Sequence, residues 1–491
     1  MIGKASGMYA ITFLEDLPDG AAPLPFSVFG HSLVLWRDAG GTLRCVRDRC
    51  PHRAAKLSEG RVRAGNLECS YHGWTFEGAR GSCTKIPQLD LQATIPAAAC
   101  VQPFEVAVRE GIVFVNLLGK DETAPGPSPA PCSPDDLDIP RRGKAKFAMN
   151  NFQIDLPYDY SFLIENLIDP AHIPISHDAT PGGGKRENAQ ALEMQVDASS
   201  VGVSGFTGRY RATRLGAKTG KPDPWTETAF EAPGIVRYRS QRGNIVFGGA
   251  LHCVPLAPGR SRLLFRVYFS GLPWIAMLVY SLKPQWLRNL NSCKVLEQDV
   301  GLICTQEDHL SGADGSSAEG GSSKGVGGGN RGGASGGLAG QYLTLASQDT
   351  FVKAYRVWQD RFRVGMPWAV GWSSPAADVA AASPLAASAS LGPGLDGAHR
   401  ALRANRFERH GQHCRATRNA LQGVKRLALA AQAAGMVAAL AAAALKAARP
   451  AALGAVFCFA ASFGLRKLEA EFYTGFRRQR DELPFASPLA P

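Results

Sequence analysis

The sequence predicts an α+β protein in three parts: an N-terminal all-β domain, a second domain mixing helices with strands, and a C-terminal helical hairpin. Three observations predict it. Short apolar runs bounded by glycine and charge fill residues 9–120. Helical and strand-like patterns mix over residues 147–372. Two Ala-rich apolar runs, 427–445 and 451–465, close the chain.

The elements follow in order. Leu33-Val34-Leu35-Trp36 and Ile112-Val113-Phe114-Val115 read as buried strands of the first domain. A Pro-rich stretch, 124–140, reads as a linker. In the second domain, Phe162, Leu163, Leu167 and Ile168 suit an amphipathic helix ending near Asp169, and Leu296, Val300 and Ile303 mark another helix face. Ile245 to Phe247, Leu251, Leu264, Phe265 and Val267 lie in expected strands. Residues 311–337 are nearly all Gly, Ser and Ala and bury too little apolar area to offset ordering, so a flexible insertion is expected. Residues 373–399 read as a linker to the C-terminal segment, 400–470. The run 427–445 is about long enough to span a bilayer and 451–465 is marginal. A hairpin lying against protein or in the interface is the competing reading. Lys425/Arg426, Lys446/Arg449 and Arg466/Lys467 flank both runs, so the positive-inside rule does not orient them. A hairpin leaves the bulk of the chain on one side.

Bulk properties narrow the function. The chain has 491 residues, 45% of them apolar, which excludes global disorder. Net charge is +12, yet no dense Lys/Arg block with interleaved aromatics argues for nucleic acid. Eleven scattered cysteines suit a reducing compartment with metal ligands among the thiols, not a disulfide scaffold. Residues 1–20 show no signal-peptide or organellar transit pattern.

The strongest motif is Cys50-Pro51-His52 followed, after sixteen residues, by Cys69-Ser70-Tyr71-His72. Two loops each offer one thiolate and one imidazole. Two cysteines can hold one iron and two histidines the other, the ligand set of a Rieske [2Fe–2S] cluster. A Cys₂His₂ zinc site is the alternative, but zinc fingers usually pair like with like. Cys45, Cys83, Cys100, Cys132, Cys253, Cys293, Cys304 and Cys458 lack such spacing and are expected to be buried apolar residues.

The second motif is Asp169, His172 and His177, a D-x-x-H-x₄-H run. Asp169 and His172 are expected on one helix face, with Pro174 breaking the helix so that His177 turns back. Two imidazoles plus a carboxylate make the facial triad of a mononuclear Fe(II) that activates O₂. Asp299 is the candidate carboxylate, with Glu297 and Asp308 as competitors.

These residues resemble the Rieske oxygenases of chloroplasts, the group of pheophorbide a oxygenase, chlorophyllide a oxygenase and the translocon-associated Rieske proteins. The likeness is carried by Asp48-Arg-Cys-Pro-His-Arg53, Lys56-Leu-Ser-Glu-Gly60, Leu67 to Trp74, Lys85-Ile-Pro-Gln88, Glu165 to Asp178 and Glu297-Gln-Asp299. Leu156-Pro-Tyr-Asp159 and Gly365-Met-Pro367 are most similar to its protochlorophyllide-dependent translocon branch. The resemblance implies a Rieske β-domain joined to a helix-grip catalytic domain, an antiparallel sheet with helices, assembled as a homotrimer. It implies ferredoxin as electron donor, a chlorin-type tetrapyrrole substrate, and attachment to the inner envelope or thylakoid membrane with the bulk of the chain in the stroma. It also implies Asp299 as the carboxylate ligand and Asp169 as the link between an iron-site histidine and a Rieske histidine of the neighbouring subunit. One departure stands out: the group's C-x-x-C pair reads Cys414-Arg-Ala-Thr417 here, which argues against a dithiol switch. A non-catalytic Rieske redox sensor or electron carrier at the import machinery is the rival reading. It would need the cluster but not the second iron.

Overall fold

A computed structural model describes residues 8–117 apart from 19, 21 and 91, then 147–180, 183–214, 222–257, 259–310, 342–344, 347–362, 405–444 and 448–475. The expected linkers 124–140 and 373–399, the insertion 311–337, Cys132, Gly365 to Pro367 and the Asp308 side chain lie outside the described residues.

Ten strands form two sheets in the N-terminal part. Strands β1 (Met8–Phe13), β2 (Leu24–Val28), β3 (His31–Arg37), β4 (Leu43–Arg47), β9 (Pro103–Arg109) and β10 (Ile112–Asn116) make a six-stranded antiparallel sheet ordered β1-β10-β9-β4-β3-β2. Strands β5 (Arg61–Arg63), β6 (Asn66–Glu68), β7 (Thr75–Phe76) and β8 (Cys83–Lys85) make a four-stranded sheet beside the Cys50–His52 and Cys69–His72 loops.

The second part is one seven-stranded antiparallel sheet, ordered β11-β17-β16-β15-β14-β13-β12, built from β11 (Phe147–Leu156), β12 (Leu192–Val196), β13 (Gly205–Ala212), β14 (Thr226–Glu231), β15 (Ile235–Arg242), β16 (Ile245–Ala257) and β17 (Arg260–Ser270). Helices α1 (Tyr160–Ile168), α4 (Gln285–Leu310) and α5 (Thr350–Phe362) pack on it. Strand β16 is buried along most of its length because it serves two cores. Leu251 and Cys253 join the core under the helices, while Val254 and Leu256 join the core of the N-terminal sheet with Phe13 and Phe114. Period-two alternation makes that division possible.

Two expectations are corrected. The helix carrying the second motif stops at Ile168, and Asp169 is extended (φ −92°, ψ 106°), so Asp169 and His172 do not share a helix face. Pro170, not Pro174, ends it, because the residue before a proline disfavours helical backbone. Pro174 instead sits in the first turn of the short helix α2 (Ile173–Ser176), where a missing N–H costs nothing. The terminal helices are also longer than their apolar runs: α6 covers Arg415–Ala444 and α7 covers Ala448–Glu471. Their polar ends are helical because they pack on α4, where Leu421, Val424 and Phe472 share a cluster with Leu290.

The C-terminal segment is therefore packed into the body of the second domain. A π turn, Phe407–Gly411, lies against β11, with His410 Nδ1 2.6 Å from the Gln153 carbonyl. Buried Asp155 takes two hydrogen bonds from Arg262, at 2.6 and 3.0 Å, and lies 3.1 Å from His413. Asp16 of the N-terminal part accepts from the Arg415 backbone N–H at 2.7 Å. All three parts thus meet at β11.

His252 on β16 packs edge-on to Phe114 across the two domains. Burial, with Arg237 and Arg266 nearby, pulls its pKa down to about 3. An unfolded imidazole titrates near ~6.5. Between those values the native state binds fewer protons than the unfolded one. The stabilising contribution is complete above about pH 6.5 and is lost as pH falls toward 3. The denaturant midpoint is expected to drop between pH 7 and 4, and to drop less in His252→Gln. Equal pH slopes for the two proteins would contradict this.

Candidate metal centres

The first centre is built from two loops that close the same way. In one, the Cys50 N–H donates to the Ala55 carbonyl and the Ala54 N–H to that of Cys50. In the other, the Cys69 N–H donates to Trp74 and the Gly73 N–H to Cys69. Ala54 and Gly73 take positive φ, 60° and 71°, to make the reversals. Asp48 braces the first loop, accepting from the Ser58 N–H and hydroxyl at 2.7 and 2.6 Å. Pro87 abuts Gly73, where a Cβ would lie 3.0 Å from its ring, and the Gln88 amide donates to the His72 carbonyl at 3.0 Å. These contacts explain why the segments flanking the motif belong with it.

The four side chains converge. Cys50 and Cys69 are buried, and the His52 and His72 rings lie 4.5 Å apart. Trp74 stacks on His52 at 4.8 Å with an interplanar angle of 3°. Burial raises the Cys50 thiol to about 11, against the pull of backbone N–H donors at His52 and Arg53. His52 Nδ1 is buried without a hydrogen-bond partner. Two thiols beside each other, two imidazoles beside each other and an orphaned ring nitrogen are the donor set a [2Fe–2S] cluster requires. A Cys₂His₂ zinc finger places cysteine with cysteine and histidine with histidine within each loop, whereas each loop here gives one of each.

The second centre joins two elements far apart in sequence. His172 precedes α2, His177 follows it, and Asp299 projects from α4. One ligand atom from each lies within 4.8 Å of the others. His177 Nε2 is 3.3 Å and His172 Nε2 3.8 Å from Asp299 Oδ2. Asn166 reaches in from α1, its amide 3.4 Å from both His172 Nε2 and Asp299 Oδ2. Burial opposes charge on His172, but Asp169 and Asp299 outweigh it and hold its pKa above the ordinary value. An electrostatic hollow that favours an extra positive charge on imidazole also favours a metal cation. The arrangement fits a two-His, one-carboxylate metal.

Asp169 lies outside that set. Its Oδ2 is 3.3 Å from His172 Nδ1, its Oδ1 accepts from the Ala171 N–H, and it is partly exposed. Of the competing carboxylates, Glu297 is taken: both its oxygens accept from Arg406 and Arg409, at 2.6–2.8 Å.

Sequence reasoning missed Gln298. Its Oε1 lies 3.0 Å from His177 Nδ1, while its Nε2 donates to the Thr180 hydroxyl at 2.6 Å. The Thr180 hydroxyl can accept from the amide, and a His177 that offers its Nε2 lone pair toward Asp299 carries its proton on Nδ1, facing the Gln298 oxygen. The signal was three consecutive polar residues, 297–299, on a helix, where neighbours point about 100° apart. The cysteine expectation needs amending too. Cys45, Cys83, Cys253, Cys293 and Cys304 are buried as expected, but Cys100 is exposed and Cys458 half-buried. Cys414 is buried and receives a hydrogen bond from Asn289, so it faces α4 instead of solvent.

Comparisons with known proteins agree with this geometry. The Rieske [2Fe-2S] domain family matches residues 7–96, and the pheophorbide a oxygenase family matches residues 230–316. Protein TIC 55, chloroplastic, of Arabidopsis thaliana is 35% identical over 474 residues, covering 93% of this chain and 80% of its own. The chain belongs to the chloroplast Rieske non-haem iron oxygenases. Protochlorophyllide-dependent translocon component 52 of the same plant is 28% identical over 345 residues, covering 61% of this chain and 58% of its own. Among solved structures, dicamba monooxygenase bound to 3,6-dichlorosalicylic acid superposes with a TM-score of 0.51 at 19% identity, covering 73% of this chain and 97% of that one, and so shares the fold. This Rieske oxygenase is an O₂-dependent oxidoreductase whose cofactors are a [2Fe–2S] cluster and a mononuclear iron.

Removing the His177 acceptor with Gln298→Leu should weaken Fe(II) binding by about 10–100-fold, as loss of an outer hydrogen bond to a ligating histidine does. Chelator competition measures it, and the cluster's absorbance should be unchanged. Unaltered iron affinity would count against the role given to Gln298.

Proposed function

We propose that this Rieske oxygenase oxidises a chlorophyll-type tetrapyrrole, of the protochlorophyllide, chlorophyllide or pheophorbide class, with electrons from ferredoxin. The observation that carries the reading is the His172, His177 and Asp299 set, half-buried at His172 and buried at the other two, which a pure electron carrier or sensor would not need. The match to the pheophorbide a oxygenase family and the likeness to a protochlorophyllide-dependent protein support the substrate class.

Cys50, His52, Cys69 and His72 would hold the cluster, and His172, His177 and Asp299 the mononuclear iron. When bound, the cluster supplies electrons singly and the iron activates O₂ at its open positions. The chain's own residues do the rest. Gln298 holds His177 in one tautomer, Asn166 offers an amide beside His172 and Asp299, and Asp169 orients His172. Asp169 is also placed, by likeness to its family, to accept a hydrogen bond from a Rieske histidine of a second copy. Exposed Tyr71 on the cluster loop and exposed Ile173 and Ile175 beside His172 support such contact between copies, and with it a homotrimer. Arg47, Arg49 and Arg53 line a hollow beside Cys50 and His52, a cationic rim suited to an acidic donor such as ferredoxin.

The terminal hairpin would anchor the enzyme in a chloroplast membrane, inner envelope or thylakoid, with both domains on the stromal side. Helix α6 has 30 residues, about 45 Å, against a hydrocarbon core of about 30 Å. It and α7 expose large apolar side chains, among them Leu429, Val437, Leu440 and Phe457.

Anaerobic binding of each tetrapyrrole, followed by single turnover with O₂, tests the reading. One of the three should be converted; conversion of none, with the cluster reduced and iron bound, would leave the sensor. Asp169→Asn should retain both metals while turnover falls by on the order of 10–100-fold. Iron loss that matches the activity loss would remove the bridging role.

A further inference from the structure

Helix α3 (Trp274–Leu282) has no buried residue. Trp274, Ile275, Leu278, Val279 and Leu282 are all exposed, Trp274 by 74% and Leu282 by 72%. At about 100° per residue, these five side chains fall within an arc of about 140°. The other side of the helix is held to the body through Tyr280. Its ring lies 6.1 Å from that of Phe269, its hydroxyl donates to the Met149 carbonyl, and the Arg288 guanidinium sits 4.6 Å above it. The helix is therefore fixed on one flank and apolar on the other, a pattern that water does not favour.

The packing of α4 shows what lies near that helix. Arg406 and Arg409 meet Glu297, Cys414 meets Asn289, and Leu421 and Val424 share a cluster with Leu290 and Trp286. The C-terminal segment thus runs backward along α4 toward its first turn. The returning end of α7 arrives there too, with Phe472 5.6 Å from Trp286. Past this point the hairpin exposes Leu427, Leu429 and Phe463. Only Lys283 and Pro284 separate the start of α4 from α3. Exposed Arg426, Arg466 and Lys467 flank the hairpin residues of that cluster, Val424, Leu465 and Leu468.

We infer that α3 is an interfacial helix, lying flat on the bilayer that the hairpin enters. Its apolar arc sits at the boundary of headgroups and acyl chains, and the neighbouring cations suit anionic headgroups. The inference rests on reading the hairpin as a membrane anchor. Attachment of both the hairpin and α3 to the first turns of α4, through Trp286, Leu290 and Arg288, selects a lipid surface over a second protein chain. The consequence is that the catalytic domain is pinned to the membrane at two points and does not swing on a tether.

The test uses the full chain reconstituted in vesicles of phosphatidylcholine and phosphatidylglycerol, with p-benzoylphenylalanine placed at position 278 or at position 437, and cluster absorbance as the check on folding. Irradiation should give lipid adducts at both positions. Adducts at 437 with none at 278 would overturn the inference and spare the anchor. A chain-to-chain crosslink at 278 would overturn it in favour of an interface between copies. Adducts at neither position would overturn both readings.

Discussion

The charge cluster around Glu297 holds the C-terminal segment in register with the second domain. Glu297 is buried on α4, and two arginines from the C-terminal segment, Arg406 and Arg409, are buried with it. A buried carboxylate without partners is unfavourable by several kcal/mol in rough terms, so the segment and the helix must come together as a unit. Asp299, two residues along the same helix, inherits its position from that contact. The residues that anchor the chain's last part and the residue that completes the second metal set are thus fixed by one interaction.

The two candidate metal centres solve different problems with similar means. The cluster loops rely on backbone: paired hydrogen bonds and two positive-φ reversals bring cysteine beside cysteine and histidine beside histidine. The mononuclear centre relies on side chains from α1, from the loop around α2 and from α4, with Gln298 and Asn166 limiting how the ligands can turn. The first is local and tolerates a small sheet as its support. The second needs the seven-stranded sheet and its helices to hold residues more than a hundred positions apart.

Much of this was legible in the chain. Strands β3 and β10, helices α1 and α4 and the hairpin followed from apolar spacing, because each buries a face whose period matches its backbone. The helix end at Ile168 differs from the sequence expectation because Pro170, not Pro174, decides it. The hairpin's polar ends were left out because a hydropathy pattern does not register helix that packs on another helix. Burial of Asp155, Arg262 and His413 together was not visible either, for they come from three distant segments and only their meeting satisfies their charges.

The sequence by itself determined the donor types and their local spacing: Cys-x-His, Cys-x-x-His and Asp-x-x-His are set by short loops whose geometry a few residues dictate. Only the tertiary structure decided which of two nearby carboxylates on α4 faces the histidines. Glu297 and Asp299 are alike in chemistry and two positions apart in sequence, and about 200° of helical rotation separates them. Which of them meets imidazole and which meets arginine depends on what the sheet and the C-terminal segment place on each side.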